Sequence, residues 1–284
     1  MRTLVTGANG QLGRALRAVL EGEQVDWVDL SELDISDAVA VEAWFALHGP
    51  YEVVYNCAAF TNVDGCETSF AAAFDANALG PMNLARACAT CGATLVHVST
   101  DYVFPGTEPG ERVETDAPAP ISAYGRSKLA GEGLALAANP RTHVVRTAWL
   151  YGEGKNFVRT MLSLAERFDE VTVVDDQLGN PTFATDLARQ LARIAASDDF
   201  GVWHCTGEGT CSWADLAEAT FELAGVKCSV KRCTSSDWKR MHPESADRPA
   251  FSSLANAKLR ATIGNDMRPW REALADYVAA QPTD

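Results

Sequence analysis

Gly7, Gly10 and Gly13 follow the short apolar run Leu4–Thr6 and lead directly into a helical pattern over Gln11–Leu20. This order constrains the chain more than any other feature. Glycine lets the backbone turn tightly and approach an anion, while a helix that starts at once offers unpaired N–H groups and the positive end of its dipole. The spacing is GxxGxxG and meets the commoner GxGxxG fingerprint only in part, so the strand–turn–helix context carries the weight. An ordinary glycine-rich βα turn is the alternative at this point.

The alternation continues downstream. Gln24–Val28, Val53–Asn56, Thr94–Val98 and His143–Arg146 are short apolar runs bounded by turn residues, and the stretches Ala38–Leu47, Thr68–Cys91 and Tyr124–Ala138 carry helical periodicity. Near-continuous apolar strands alternating with helices predict an α/β fold, a Rossmann-type doubly wound parallel sheet covered on both faces. After Arg146 the rhythm loosens. Helices are expected near Asn156–Arg167, Thr185–Ala196, Trp213–Ala224 and Arg271–Ala279, with strands near Val171–Val174, Val202–Cys205 and Ser229–Arg232; Ser235–Phe251 reads as a loop. Residues 1–150 are expected to form a dinucleotide-binding domain with a return segment near 175–197. Residues 151–284 then form mainly a smaller mixed α/β substrate domain.

Composition excludes several functions. Lys+Arg 24 against Asp+Glu 38 gives a net charge of −14. A coat for nucleic acid or an anionic membrane needs clustered cations, so neither a nucleic acid polymer nor a membrane is expected as partner. A hydrophobic fraction of 47% is too high for disorder. No segment reaches the roughly 20 apolar residues of a membrane span, and the start lacks a secretion pattern, so a cytoplasmic protein is expected. Cys57, Cys88 and Cys205 read as small buried hydrophobes, and Cys88 with Cys91 is a CxxC without the second ligand pair of a zinc site. His97 and His204 sit in apolar runs as core histidines.

The second strand ends at Asp29, where a carboxylate can bond the adenosine ribose hydroxyls and repel a 2′-phosphate, which favours NADH over NADPH. Capping of the turn before Ser31 is its other reading. Asp34 and Ile35 fall near the adenine, and the third strand delivers Ala58, Ala59, Phe60 and Thr61 to the same edge. The fourth strand runs into Ser99-Thr100-Asp101-Tyr102-Val103-Phe104, and a helix opens at Tyr124-Gly125-Arg126-Ser127-Lys128. Tyr124 and Lys128 lie one helical turn apart, so both share a face. A nearby ammonium lowers the pKa of a phenol, which is what a tyrosine acid needs. Trp149 follows a strand at the carboxyl edge, where open α/β sheets bind ligands. Arg248 has a fork suited to a substrate pyrophosphate, or is a surface residue.

With the glycine loop, Asn56–Asp64, Ser99–Phe104, Tyr124–Glu132, Arg146–Tyr151, Asn156-Phe157 and Asp176–Thr182 in place, the chain resembles the extended short-chain dehydrogenase/reductases over nearly its whole length. The resemblance implies an NAD(P)H-dependent oxidoreductase acting on the C4 ketone of a nucleotide-linked 4-keto-6-deoxy sugar. It implies Thr100, Tyr124 and Lys128 as catalytic residues, with Thr100, Asp101 and Trp149 against the sugar. Cofactor contacts fall on Gly7, Gly10, Gln11, Leu12, Gly13, Asp29, Asp34, Ile35, Ala58, Ala59, Phe60, Thr61, Val98, Tyr124 and Lys128. Two positions depart from the family pattern. Phe251 stands where an amide is usual, and Ala15 where an acidic residue would help to bridge a dimer through magnesium, so no metal is expected; the chain is a monomer or a homodimer. Two competitors remain: an epimerase or dehydratase of the same fold, and a non-catalytic partner such as the regulatory subunit of methionine adenosyltransferase. Thr100 is followed by Asp101-Tyr102, so the second carboxylate typical of dehydratases is missing, and the intact Thr100, Tyr124 and Lys128 oppose a purely binding role.

Overall fold

The computed structural model describes residues 2–281. Strands β1 (Arg2–Thr6), β2 (Gln24–Val28), β3 (Val53–Asn56), β4 (Thr94–Thr100), β5 (Thr142–Thr147) and β6 (Gly201–His204) form one parallel sheet in the order β6-β5-β4-β3-β1-β2. Successive residues of a strand point to opposite faces, and here both faces are buried. Leu4, Val54 and Leu95 pack under helices α2 (Ala38–His48) and α3 (Gly80–Cys91). Val5, Val96 and Val145 lie against Leu12 and Leu16 of α1 (Gln11–Val19) and Leu187 and Leu191 of the helix Ala184–Ala195. This two-sided burial is why these strands read as unbroken apolar runs. The last strand of the sheet and the helix before it come from beyond residue 150. Ala15 is half-buried against this core.

Strand order reverses between β1 and β3, and at such a switch point the loops leaving the carboxyl ends diverge and open a crevice. A smaller layer stands over that edge. It comprises the helices Phe157–Ala165, Trp213–Ala224 and Trp270–Ala279 and the parallel pair Glu170–Val174 with Ser229–Cys233. Two short pairings, Leu150–Tyr151 with Thr182–Phe183 and Leu178–Gly179 with Cys211–Ser212, join it to the main sheet's loops.

Two segments differ from the sequence reading. The single helix expected over Thr68–Cys91 is interrupted: Val63–Thr68 and Phe70–Phe74 are short helices, Asp75–Leu79 is a π turn, and α3 starts only at Gly80. Residues 68–79 contain no glycine or proline, so nothing in that stretch marks the interruption. In the expected loop Ser235–Phe251, Ser235–Met241 is helical because Thr234 and Asp237 form a reciprocal capping box. Among the described residues no helix is long and apolar enough to cross a membrane, and the eight cysteines are free.

Candidate active site

The crevice is a cleft of about 710 Å³ at the carboxyl edge. Its floor is the glycine loop. Gly7 has φ 67°, and a Cβ there would lie 2.6 Å from the Ala58 amide nitrogen, so the loops after β1 and β3 touch at a point that admits no side chain. A Cβ on Gly13 would sit 2.4 Å from the Gly7 carbonyl oxygen; its absence lets the first helix settle onto the loop. That helix begins at Gln11 with Gly10 as N-cap and no side-chain cap, so its first N–H groups are left for an anion at the positive dipole end. Backbone closeness, bare N–H groups and cleft size together fit a dinucleotide.

Of its two readings, Asp29 makes the turn cap directly. Its carboxylate caps the turn, accepting from the Asn9 and Leu30 N–H groups at 2.9 Å each, and it lines the cleft. Glu32 stands beside it, held below the usual carboxylate range chiefly by the Asp29 backbone N–H. Asp34 caps Ser36 through Oδ1, and Ile35 packs against Gly80, where a Cβ would come within 2.7 Å of Cδ1. Ala58, Ala59, Phe60 and Thr61 form the opposite wall. Asn77, on the π turn, accepts the Phe60 N–H at 2.8 Å and donates to the Phe60 carbonyl and to Ser127 Oγ, both at 3.0 Å. The irregular turn thereby fixes this wall to the helix that carries Tyr124.

That helix, α4 (Ala123–Ala138), is N-capped by Ser122. Gly125 brings it down onto the turn after β4, since a Cβ there would fall 2.2 Å from the Tyr102 carbonyl oxygen. Lys128 is 2% exposed, and its Nζ donates to the Val98 carbonyl at 2.7 Å. Burial pushes this ammonium down to about 8, while the Glu132 carboxylate works the other way. Thr100 Oγ1 donates to Asp101 Oδ1 at 2.9 Å and accepts the Tyr102 N–H at 3.2 Å. Burial pushes Asp101 up to about 6. Tyr124 stands above the ordinary phenol range, first through burial and then through the Asp101 charge, with a hydrogen bond to Thr100 opposing. The phenol thus stands above its ordinary range and not below it, because the ring is desolvated and the Asp101 charge lies nearby.

Beneath this group lies a buried ionic knot. Glu132 and Arg146 are 3% and 4% exposed and meet at 2.7 Å; Ser99 Oγ donates to the same carboxylate at 2.5 Å. The knot ties α4 to β4 and β5. His97 and His204 are buried beside the site, and desolvation holds His97 well below and His204 down to about 3, so both are neutral core residues.

Every sequence-derived cofactor position lines the cleft, together with Thr100, Asp101 and Trp149. Arg248 does not; it is half-buried and pairs with Asp64 at 3.0 Å. Phe251 acts through its backbone, donating its N–H to the Gly106 carbonyl and bridging to Leu178, so the lost amide leaves this frame intact. The sequence reading missed Thr147, Glu153 and Lys155 on the cleft wall. Thr147 closes β5 one strand from Thr100, and its Oγ1, like Asp101 Oδ2 and Gln11 Oε1, is buried without a hydrogen-bond partner among the described residues. Position at a strand's carboxyl end was the available signal for it. Glu153 pairs with Arg14 at 2.5 Å across the cleft mouth, a contact that nothing local in the sequence announces.

Comparison with known proteins agrees with this geometry. Residues 1–282 match the family described as RmlD substrate binding domain. A dTDP-4-dehydrorhamnose reductase from Mycobacterium tuberculosis is 45% identical over 288 residues, covering 98% of this chain and 93% of that protein. The crystal structure of a dTDP-4-dehydrorhamnose reductase from Clostridium acetobutylicum superposes with a TM-score of 0.94 at 44% identity, covering 98% and 99% of the two chains. The reductase from Bacillus anthracis, solved in complex with NADP, gives 0.94 at 35% identity with 99% of each chain covered. The sheet order, the crevice and these matches agree: the chain belongs to the RmlD substrate-binding-domain family.

Proposed function

We propose that this protein is a dTDP-4-dehydrorhamnose reductase, which reduces the C4 ketone of dTDP-4-dehydro-6-deoxy-L-mannose to dTDP-L-rhamnose at the expense of NADH or NADPH. The observation that carries the reading is the convergence of Thr100, Tyr124 and Lys128 at the edge of a crevice floored by the glycine loop. The free N–H groups of Gln11 and Leu12 would hold the cofactor pyrophosphate, Asp29 the adenosine ribose, and Lys128 the nicotinamide ribose. A bound reduced nicotinamide supplies hydride.

The chain's own part is to present a proton and fix the ketone. Ketone reduction needs a donor at the oxygen where negative charge develops. Tyr124 is suited to it, because burial keeps the phenol protonated at neutral pH. Thr100, held by Asp101 and the Tyr102 N–H, would orient the substrate oxygen toward that proton by turning its hydroxyl from Asp101 to the ketone. Lys128 places a positive charge beneath the reacting centre, held in line by the Val98 carbonyl. Trp149 walls the sugar. Substrate and cofactor are charged nucleotides that do not cross membranes unaided, which supports a cytoplasmic reaction.

Two expected results follow from the electrostatics. Asp101, at about 6, becomes a carboxylate as pH rises and then accepts the Thr100 hydroxyl; Lys128, at about 8, loses its charge as pH rises further. The kcat/KM of the free enzyme should therefore climb through about pH 6 and fall through about pH 8. Asp101→Asn should flatten the acid limb, and a limb unchanged in that variant would assign it to another group. The carboxylates of Asp29 and Glu32 at the ribose edge should give NADH about a tenfold lower KM than NADPH. Asp29→Ser should narrow that ratio, and equal KM values in the wild type would refute it.

A further inference from the structure

Trp149 is the one non-glycine residue in the described chain with positive φ, 45°. A bulky residue in that region is strained and persists only where its surroundings hold it. Three segments from different parts of the sequence do so. The Trp149 carbonyl accepts the Thr182 N–H at 3.2 Å, and the next two residues pair with Thr182–Phe183. One face of the indole lies on Trp213, with centroids 3.5 Å apart and planes within 8°. The third segment is the strand Leu178–Gly179, where a Cβ on Gly179 would fall 2.5 Å from Cε2, 2.7 Å from Nε1 and 2.8 Å from Cζ2 of the indole. At these distances a Cβ forces the ring to move, and the ring is also held by its stack on Trp213.

The holders are also linked. Gly179 pairs with Cys211 in the antiparallel ladder, and Ser212, which pairs with Leu178, is the N-cap of the helix that begins at Trp213. Leu178 in turn accepts the Ser252 N–H and donates to the Ala250 carbonyl. The strand that leaves room for the indole therefore also sets the ring that backs it. Gly179 is buried and has no φ in the left-handed region, so backbone freedom does not explain a glycine here; the close approach of Trp149 does.

We infer that Gly179 and Trp213 are positioning residues for the sugar half of the substrate: they fix the Trp149 indole as a rigid wall of the cleft without touching the cofactor side. This rests on the reading of Trp149 as the substrate's wall. Gly179→Ala forces the ring out of register by overpacking, and the nucleotide-sugar KM should rise about tenfold while the KM for NADH changes less than about twofold. A merely structural defect would move both constants together. The circular-dichroism exciton signal of two indoles in contact should collapse in Gly179→Ala and in Trp213→Leu, and Trp213→Leu should show the same split between substrates.

A smaller ring should remove the clash. The double variant Gly179→Ala with Trp149→Phe is expected to bind the sugar nucleotide no worse than Trp149→Phe alone, a non-additivity that marks direct coupling. An unchanged sugar KM in both Gly179→Ala and Trp213→Leu, with Trp149→Phe raising it, would overturn this inference while leaving the site reading in place. Simple additivity in the double variant would overturn it as well. If Trp149→Ala itself left the sugar KM unchanged, the substrate reading of Trp149 would fail and the inference with it. Should Gly179→Ala not fold, Trp213→Leu decides the matter through the same pair of constants.

Discussion

Tyr124→Phe is expected to lower kcat by a factor of about 10²–10⁴, the usual worth of a positioned proton donor. The dissociation constant for NADH should change little. The proposed cofactor contacts at the glycine loop and Asp29 do not involve the phenol oxygen, and the substitution removes that one oxygen without altering ring packing against Tyr102, 5.9 Å away in an edge-to-face contact. Lys128 keeps its bond to Val98 whatever stands at 124, so the variant separates proton donation from charge placement. Steady-state turnover combined with fluorescence titration of NADH checks both halves. Near-normal turnover would place the proton donor elsewhere.

Breaking the Glu132–Arg146 pair should have the largest effect on stability. The Glu132 carboxylate accepts from Ser99 and from Nε and Nη2 of Arg146, and neither partner reaches solvent. Glu132→Ala leaves a guanidinium in the interior with only the Phe104 ring at 5.1 Å and His204 for company. A loss of about 3–5 kcal/mol is expected, because an uncompensated buried charge costs more than the intact pair contributes. Replacing both partners with apolar residues of similar volume, Glu132→Leu with Arg146→Met, should cost much less for the same reason. Denaturant unfolding of the three proteins decides it; a single-variant loss below about 1 kcal/mol would mean that water reaches the pair.

The parallel sheet could be read from the sequence because burial on both faces leaves an apolar mark on each strand, as at Leu4-Val5 and Leu95-Val96. The glycine loop was equally legible, since Gly7 and Gly13 are required by contacts within or beside one βα unit. Tyr124 and Lys128 stood out through helical spacing taken together with the glycine loop and the Ser99-Thr100 strand end, and their roles came from the family resemblance. What stayed hidden depends on segments distant in the chain. Gly125 and Gly179 are needed for approaches to Tyr102 and Trp149, and no local pattern distinguishes them from ordinary glycines. Asn77 bonds Phe60 from a π turn that no glycine or proline announces. Helical spacing places Lys128 near Tyr124 but does not show the burial that raises the phenol, since that burial comes from segments outside the helix. Arg248 chose Asp64, a partner 184 residues away.

The central claim is a net two-electron reduction of a nucleotide-linked 4-keto sugar by this chain alone. The direct measurement is reduced-nicotinamide consumption by the purified protein given dTDP-4-dehydrorhamnose, with NADH and NADPH in parallel reactions and the product analysed for its C4 carbonyl. Many turnovers are expected, with one reduced cofactor consumed per ketone lost and dTDP-L-rhamnose as product. Conversion of the sugar without net consumption of cofactor, as in an epimerase, or no turnover at all, as in a binding subunit, would contradict it.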